Sequence, residues 1–214
     1  MKDLVSIKIV HLEHRLDRRG ECESELARIG WGKGDYSFFS AKHLPDFGAR
    51  GCAMSHGKAI ADFLFEEEKP FLLILEDDVC VRPGADLTQD LQAAIEQAPL
   101  WDVFLLAHNA PIPIARTPLH GAYRVVNART TSGYLVGRLY APKLMEVFFR
   151  SAEMLREVKD IPSPAREIAG GLFRCDMLWN RLQESDRFWA KIPSLTFQRP
   201  SYSDIEKKMA HYKV

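Results

Sequence analysis

The stretch from Phe71 to Val81, FLLILEDDVCV, limits what this chain can fold into more than any other part of it. Five apolar residues, Phe71 to Leu75, run directly into Glu76, Asp77 and Asp78, and Val79, Cys80 and Val81 resume the apolar pattern. An unbroken apolar run of this length fits a strand buried on both faces, as in a mostly parallel α/β sheet. Three adjacent carboxylates at its end repel one another and are costly to bury unless a positive charge stands between them. A divalent cation is the simplest partner, because hard cations take carboxylate oxygens and open α/β sheets bind ligands at the carboxyl ends of their strands. The alternative is a solvated turn, for which the apolar runs on either side leave little room.

The rest of the chain supplies the helices and strands such a sheet needs. Residues 4–12 alternate and are β-branched-rich, which predicts a first strand, and 36–41 predicts another. Helical spacing is expected over 17–29, stopped by Gly30, and over 55–67, with Ser55 as its cap and Pro70 just beyond its end. An amphipathic helix is expected at 87–97 and a buried strand at 102–107. The alternation of strand and helix indicates an α/β fold with a largely parallel sheet. Residues 108–130, with Pro111, Pro113 and Pro118, are expected to form a long irregular loop, and 157–171 a second flexible one. Between and after them lie an expected strand (131–136), helices (141–155 and 175–184), an extended segment (189–197) and a short terminal helix (203–212).

At 214 residues the chain suits one large domain, 1–214, able to bury about 70% of its unfolded surface without staples. Lys plus Arg and Asp plus Glu are both 29, and this balance argues against a general nucleic-acid binder. Cys22, Cys52, Cys80 and Cys175 form no CxxC pair, so their spacing suggests neither a zinc site nor a disulfide framework, and they read as reduced thiols of a cytoplasmic protein. The opening MKDLVSIKIVHLEHR is too interrupted for a signal peptide, and no segment approaches 18 consecutive apolar residues.

Six segments in order carry a resemblance: HLEHRLDRRGECESEL (11–26), GARGCAMSHGKAI (48–60), LILEDDV (73–79), TSGYLVG (131–137), RCDMLWNRL (174–182) and RPSYSDIE (199–206). Together they resemble family 25 glycosyltransferases, the bacterial lipooligosaccharide β-galactosyltransferases and the related collagen galactosyltransferase domains. The resemblance implies a GT-A-like fold, Rossmann-like with helices flanking the sheet. It also implies a UDP-sugar donor, Mn²⁺ (or Mg²⁺) and inversion at the anomeric carbon. By that analogy Glu76-Asp77-Asp78 stands at the DxD metal motif: Asp78 would bind the metal directly, Glu76 or Asp77 would hold the ribose or sugar or join the metal shell, with Glu76 the favoured second ligand and Asp77 facing the nucleotide or solvent. Arg15 and Arg18 fall where the family contacts the nucleotide, and Leu12, Ala41, Ser55 and His56 border the same donor site. Asn109, Thr131, Gly133 and Tyr134 would line the acceptor side, with Asp204 closing over the nucleotide or capping the terminal helix. Gln198 and His211 are candidates for a third metal ligand. The family's usual GEIGC reads Gly48-Ala49-Arg50-Gly51-Cys52 here, so no glutamate stands at position 49 to carry that residue's role.

Glycosyl transfer from a UDP-sugar requires stabilisation of the diphosphate leaving group, a group to take the acceptor proton, and an attacking oxygen held opposite the leaving group. Asp176 in RCDMLWNRL is the candidate general base; the competing reading makes it a helix N-cap. The expected activity is transfer of galactose to a saccharide of bacterial lipooligosaccharide or lipopolysaccharide. Donor binding would fall in about 1–107 and acceptor binding in about 108–214, with peripheral contact at the inner membrane through residues near Trp189 and Lys207-Lys208. The alternatives are a catalytically degenerate sugar- or protein-binding module, and a metal-dependent nucleotidyltransferase; the latter would need a Gly-rich phosphate loop, and no GxxxxGK[ST] occurs.

Overall fold

The computed structural model describes residues 1–158, 161–203 and 208–210. Strand β1 (Val5–His11) leads into helix α1 (Leu16–Arg28) and strand β2 (Ser37–Ser40). Helix α2 (Gly48–Glu66) starts seven residues before the expected Ser55 cap, so Ser55 and His56 lie mid-helix. Tertiary packing explains the extension, since propensity and capping do not: Phe47 offers no capping side chain. Instead the helix docks on the segment before it. Ser55 Oγ accepts from Lys42 N at 2.8 Å and donates to Gly51 O at 2.6 Å. Gly51 lies so close that a Cβ there would meet Lys42 O at 2.5 Å.

Strand β3 (Phe71–Glu76), strand β4 (Val79–Val81), helix α3 (Leu87–Glu96) and strand β5 (Val103–Leu105) follow as the sequence suggests. The expected loop at 108–130 instead contains a hairpin, β6 (Ile112–Arg116) and β7 (Ala122–Val126), with Gly121 at φ 73° just before β7. Its prolines mislead because β6 is the edge strand, where a missing N–H costs no ladder bond. Strand β8 (Gly133–Gly137) precedes helix α4 (Ala141–Val158). The second expected loop holds helix α5 (Ala165–Leu172), whose apolar side chains Ile168 and Leu172 stay exposed and which buries no residue. The expected helix at 175–184 is two short ones, α6 (Cys175–Leu178) and α7 (Asn180–Ser185), meeting at Trp179. Strands β9 (Phe188–Lys191) and β10 (Thr196–Gln198) come next. Of the expected terminal helix only Ser203 and 208–210 are among the described residues, and these are strand instead: β11 (Ser201–Ser203) and β12 (Lys208–Ala210) pair antiparallel.

The result is one α/β domain around an eight-stranded sheet of order β2-β1-β3-β8-β5-β9-β7-β6. The β2-β1-β3 portion is parallel, as is β5-β9. Strand β8 runs antiparallel between β3 and β5, and β7 and β6 add further antiparallel pairs, so the sheet as a whole is mixed. The antiparallel members come from the half in which the sequence pattern suggested loops. Period-2 alternation splits the core in two. Leu72 and Ile74 join Tyr134, Phe148 and Trp179 on the face covered by α2 and α4, while Leu73 and Leu75 join Leu26, Leu91 and Trp101 on the face covered by α1 and α3. The chain passes from β1 to β2 on one side and returns to β3 on the other. The β1/β3 boundary is therefore the switch point at which open α/β sheets bind ligands. No helix among the described residues is long and apolar enough to cross a membrane.

Candidate functional site

A cleft enclosing about 1160 Å³, including its open mouth, lies at that switch point. Its floor is the carboxyl end of β3 and the turn that follows. Glu76 is the last strand residue, and Asp77 and Asp78 make the turn into β4. Antiparallel pairing of β4 with β10 places Gln198 across from Val79, and Arg199 N donates to Asp78 O at 2.7 Å.

The three acids have different surroundings. Asp77 is buried and paired: His11 Nδ1, at the end of β1, lies 2.8 Å from Oδ2, and Arg18 Nη1 donates to Oδ1 at 2.9 Å. Asp78, 3% exposed, has only long contacts among the described residues: Arg18 Nη1 at 3.4 Å and Gln198 Nε2 at 3.5 Å. Charge-assisted bonds normally close to about 2.7–2.9 Å. Burial, reinforced by the Glu76 charge and only partly opposed by Arg18, pushes the Asp78 carboxyl up to about 7. Glu76 Oε1 accepts from Thr131 Oγ1 at 2.9 Å and lies 3.3 Å from His56 Nε2. Arg18 also reaches the returning chain, donating to Ser201 Oγ at 2.7 Å and Tyr202 O at 3.0 Å.

The opposite wall comes from the segment before β8 and from α6. Thr130 has φ 74°, a region that a β-branched residue occupies only under strain, and such strain clusters at functional sites. Its backbone N–H donates to Asp176 Oδ2 at 3.2 Å, and its hydroxyl to Gln198 Oε1 at 3.1 Å. Asp176 is in the first turn of α6, but its carboxylate bonds Thr130 rather than an N–H of its own helix, so it is not the N-cap. Burial raises its pKa against the lowering effects of the Thr130 N–H and of Arg174. A carboxyl in a cleft with a raised proton affinity is suited to proton transfer.

A third group sits on the α2 wall. Cys52 and His56 are four residues apart, hence on one helix face. One ligand atom each from Cys52, His56 and Glu76 lie within 4.8 Å of one another. His56 is fully buried; its Nδ1 lies 3.0 Å from Tyr134 Oη, and its Nε2 has no hydrogen-bond partner among the described residues. Burial alone would lower its pKa, but Cys52 and Glu76 push it up to about 10. The Cys52 thiol, hydrogen-bonded to Cys175, is held well above its ordinary range.

Of the residues expected at the site, Leu12, Arg18, Ala41, Ser55, His56, Glu76, Asp77, Asp78, Thr131 and Asp176 line this cleft. Four do not. Arg15 faces Asp17 and Tyr202 O, and Asn109 forms an isolated bridge with Arg129. Gly133 packs between Leu75, Leu106 and Thr196, and Tyr134 is buried behind His56. His108 turns to Lys191 O. Asp204, Lys207 and His211 lie outside the described residues. Sequence reasoning passed over Cys52, Cys175, His11 and Arg174. The Cys-x-x-x-His spacing at 52–56 was the available signal for the first of these.

No protein-family profile and no curated protein matches the chain. Solved structures do. A glycosyltransferase involved in the glycosylation of the major capsid of PBCV-1 is 12% identical with a TM-score of 0.46, over 95% of this chain and 96% of that one. A197 from STIV is 14% identical with a TM-score of 0.49, over 96% and 92%. A mannose-1-phosphate geranyltransferase from Thermus thermophilus is 12% identical with a TM-score of 0.47, over 89% and 74%. Values this low describe a remote likeness.

Proposed function

We propose that this protein is an inverting glycosyltransferase that moves a hexosyl group, galactosyl by its motif resemblance, from a UDP-sugar to a saccharide of bacterial lipooligosaccharide or lipopolysaccharide. The observation that carries the reading is Asp78: a buried carboxylate beside two others, at the switch point of the sheet, contacted by Arg18 at 3.4 Å, a cation that Asp77 also shares. That donor set fits a hard divalent ion, Mn²⁺ or Mg²⁺, which Asp78 and Glu76 would hold. Such an ion, when bound, supplies charge stabilisation for a diphosphate leaving group.

The chain's own groups perform the remaining work. Arg18 carries a guanidinium at the cleft floor, anchored on one side by Asp77, and its Nη2 would meet a phosphate oxygen by exchanging its present partners for it. Ser201 Oγ and Tyr202 O hold the same guanidinium, so the returning segment and the donor compete for or share it. Leu12, Ala41 and Ser55 form the wall on which a nucleoside would rest. Asp176 accepts the proton of the attacking hydroxyl at a carboxylate oxygen. The Thr130 N–H fixes its orientation, and its raised proton affinity makes it a stronger base. The donor side would be built from about 1–107 and the acceptor side from about 108–214, which supplies Thr130, Thr131, Arg174 and Asp176 to the cleft. A panel of UDP-sugars scored for Mn²⁺-dependent UDP release tests the reading, with UDP-galactose expected to turn over fastest. Release from none of them, together with no metal-dependent UDP binding, would remove it.

A further inference from the structure

We propose that Cys52, His56 and Glu76 form a second, chemically distinct metal site on the cleft wall, one that takes a borderline-soft transition-metal ion, best matched by Zn²⁺. The proposal does not rest on the transferase reading. A tetrahedral site with Zn–N, Zn–O and Zn–S bonds of roughly 2.0–2.3 Å sets its ligand atoms roughly 3.5 Å apart. The three atoms here already lie within 4.8 Å of one another, so small side-chain adjustments close the site. The backbone supports this arrangement: α2 puts Cys52 and His56 on one face, and the end of β3 brings Glu76 to them.

The surroundings are those of a ligand set rather than of a self-satisfied core. His56 Nε2 is a fully buried ring nitrogen with no hydrogen-bond partner among the described residues, and it faces Glu76 Oε1 at 3.3 Å. Its other nitrogen is fixed at 3.0 Å by the Tyr134 hydroxyl, and Thr131 Oγ1 fixes Glu76 Oε1 at 2.9 Å. Ligating histidines and carboxylates are normally oriented by partners of this kind. The donor set also selects the ion. Thiolate plus imidazole plus carboxylate suits zinc, whereas the all-oxygen set around Asp78 suits Mn²⁺ or Mg²⁺. Three protein ligands would leave a fourth position, and because all three residues line the cleft, water or a substrate atom from the cleft would fill it. Glu76 has two carboxylate oxygens and can serve both ions.

Titration of the purified, chelator-treated full chain with Co²⁺ provides the test, read by absorption and independent of turnover. A thiolate-to-cobalt charge-transfer band is expected that saturates at one thiolate-bound Co²⁺ per chain and that Zn²⁺ abolishes. Cys52→Ser and His56→Gln should each lose the band and weaken binding at least about 100-fold, more than loss of an outer-shell partner does. Asp78→Asn and Cys80→Ser should keep it. X-ray absorption of the Zn²⁺-loaded wild type supplies a check that needs no variant and should find sulfur among the ligands. The proposal is overturned by a band that survives Cys52→Ser, by one that disappears in Cys80→Ser, or by a zinc shell of nitrogen and oxygen alone.

Discussion

Replacing Asp78 with asparagine should make the metal-free protein more stable at neutral pH. The side chain keeps its size and loses a charge that is 3% exposed and crowded by Glu76 and Asp77. The Asp78 carboxyl is raised from 3.8 to about 7 by burial and by the Glu76 charge. Each pKa unit is worth about 1.4 kcal/mol, so ionising Asp78 costs the folded state up to about 4 kcal/mol. The asparagine also gives up attraction to Arg18, which makes this an upper bound. Because the folded carboxyl holds its proton more tightly than the unfolded one, its stabilising contribution is complete below about pH 4. That contribution falls as pH rises through 4 to 7, and is gone above about 7. Urea unfolding of chelator-treated protein should therefore show wild type and Asp78→Asn nearly equal at pH 4. At pH 8 the variant should lead by up to about 4 kcal/mol, which is roughly 8–16 °C in Tm for a domain of this size. Saturating Mn²⁺ should recover the deficit in wild type only, by about 2.7 kcal/mol at a hundred times Kd. An asparagine variant that is equal to or less stable than wild type at pH 8 would refute the reasoning, because Asp78 would then be adequately paired without an ion.

Other perturbations test the frame around the cleft. Gly51→Ala drives a Cβ to 2.5 Å from Lys42 O, a backbone atom that cannot rotate away. It should cost about 1–3 kcal/mol in denaturant titration and weaken UDP binding, since residues 41–44 line the cleft. Asp176→Asn should lower kcat by about 10²–10⁴ while leaving the calorimetric Kd for UDP within about twofold. A parallel loss of UDP affinity would reassign Asp176 to donor binding. Arg138→Met removes the guanidinium that donates to the carbonyls of Phe63, Leu64, Glu67 and Lys69 around the end of α2. It should cost about 2–3 kcal/mol in unfolding free energy, with turnover at 25 °C unchanged.

The first half of the chain was legible because its signals are local. Strand β3 announces itself by five consecutive apolar residues, and the acids at its end stand where an α/β sheet places ligands. The start of α2 was not legible, because no capping residue marks Gly48. The docking of Gly51 and Ser55 on Lys42 extends the helix, and that contact exists only in three dimensions. The β6–β7 hairpin was hidden by prolines that an edge strand tolerates, and α5 by the absence of any buried face. Within the cleft, the sequence places Glu76, Asp77 and Asp78 together but does not rank them. The ranking comes from His11 and Arg18, which sit within 2.9 Å of Asp77, whereas Asp78 meets Arg18 only at 3.4 Å. Cys52 and Cys175 are 123 positions apart, and only the packing of α6 near α2 brings the two thiols into hydrogen-bond contact.

The most direct measurement is the rate of UDP release from UDP-galactose in wild type and Asp78→Ala, with Mn²⁺ and with chelator, and with circular dichroism confirming that both are folded. Wild type should release UDP with Mn²⁺ and fall to background with chelator. Asp78→Ala should lose at least about a thousandfold in rate, the equivalent of some 4 kcal/mol of leaving-group stabilisation. Turnover unchanged in the folded Asp78→Ala protein, or equally fast with chelator present, would contradict the assignment of the acid cluster to a metal-assisted transfer.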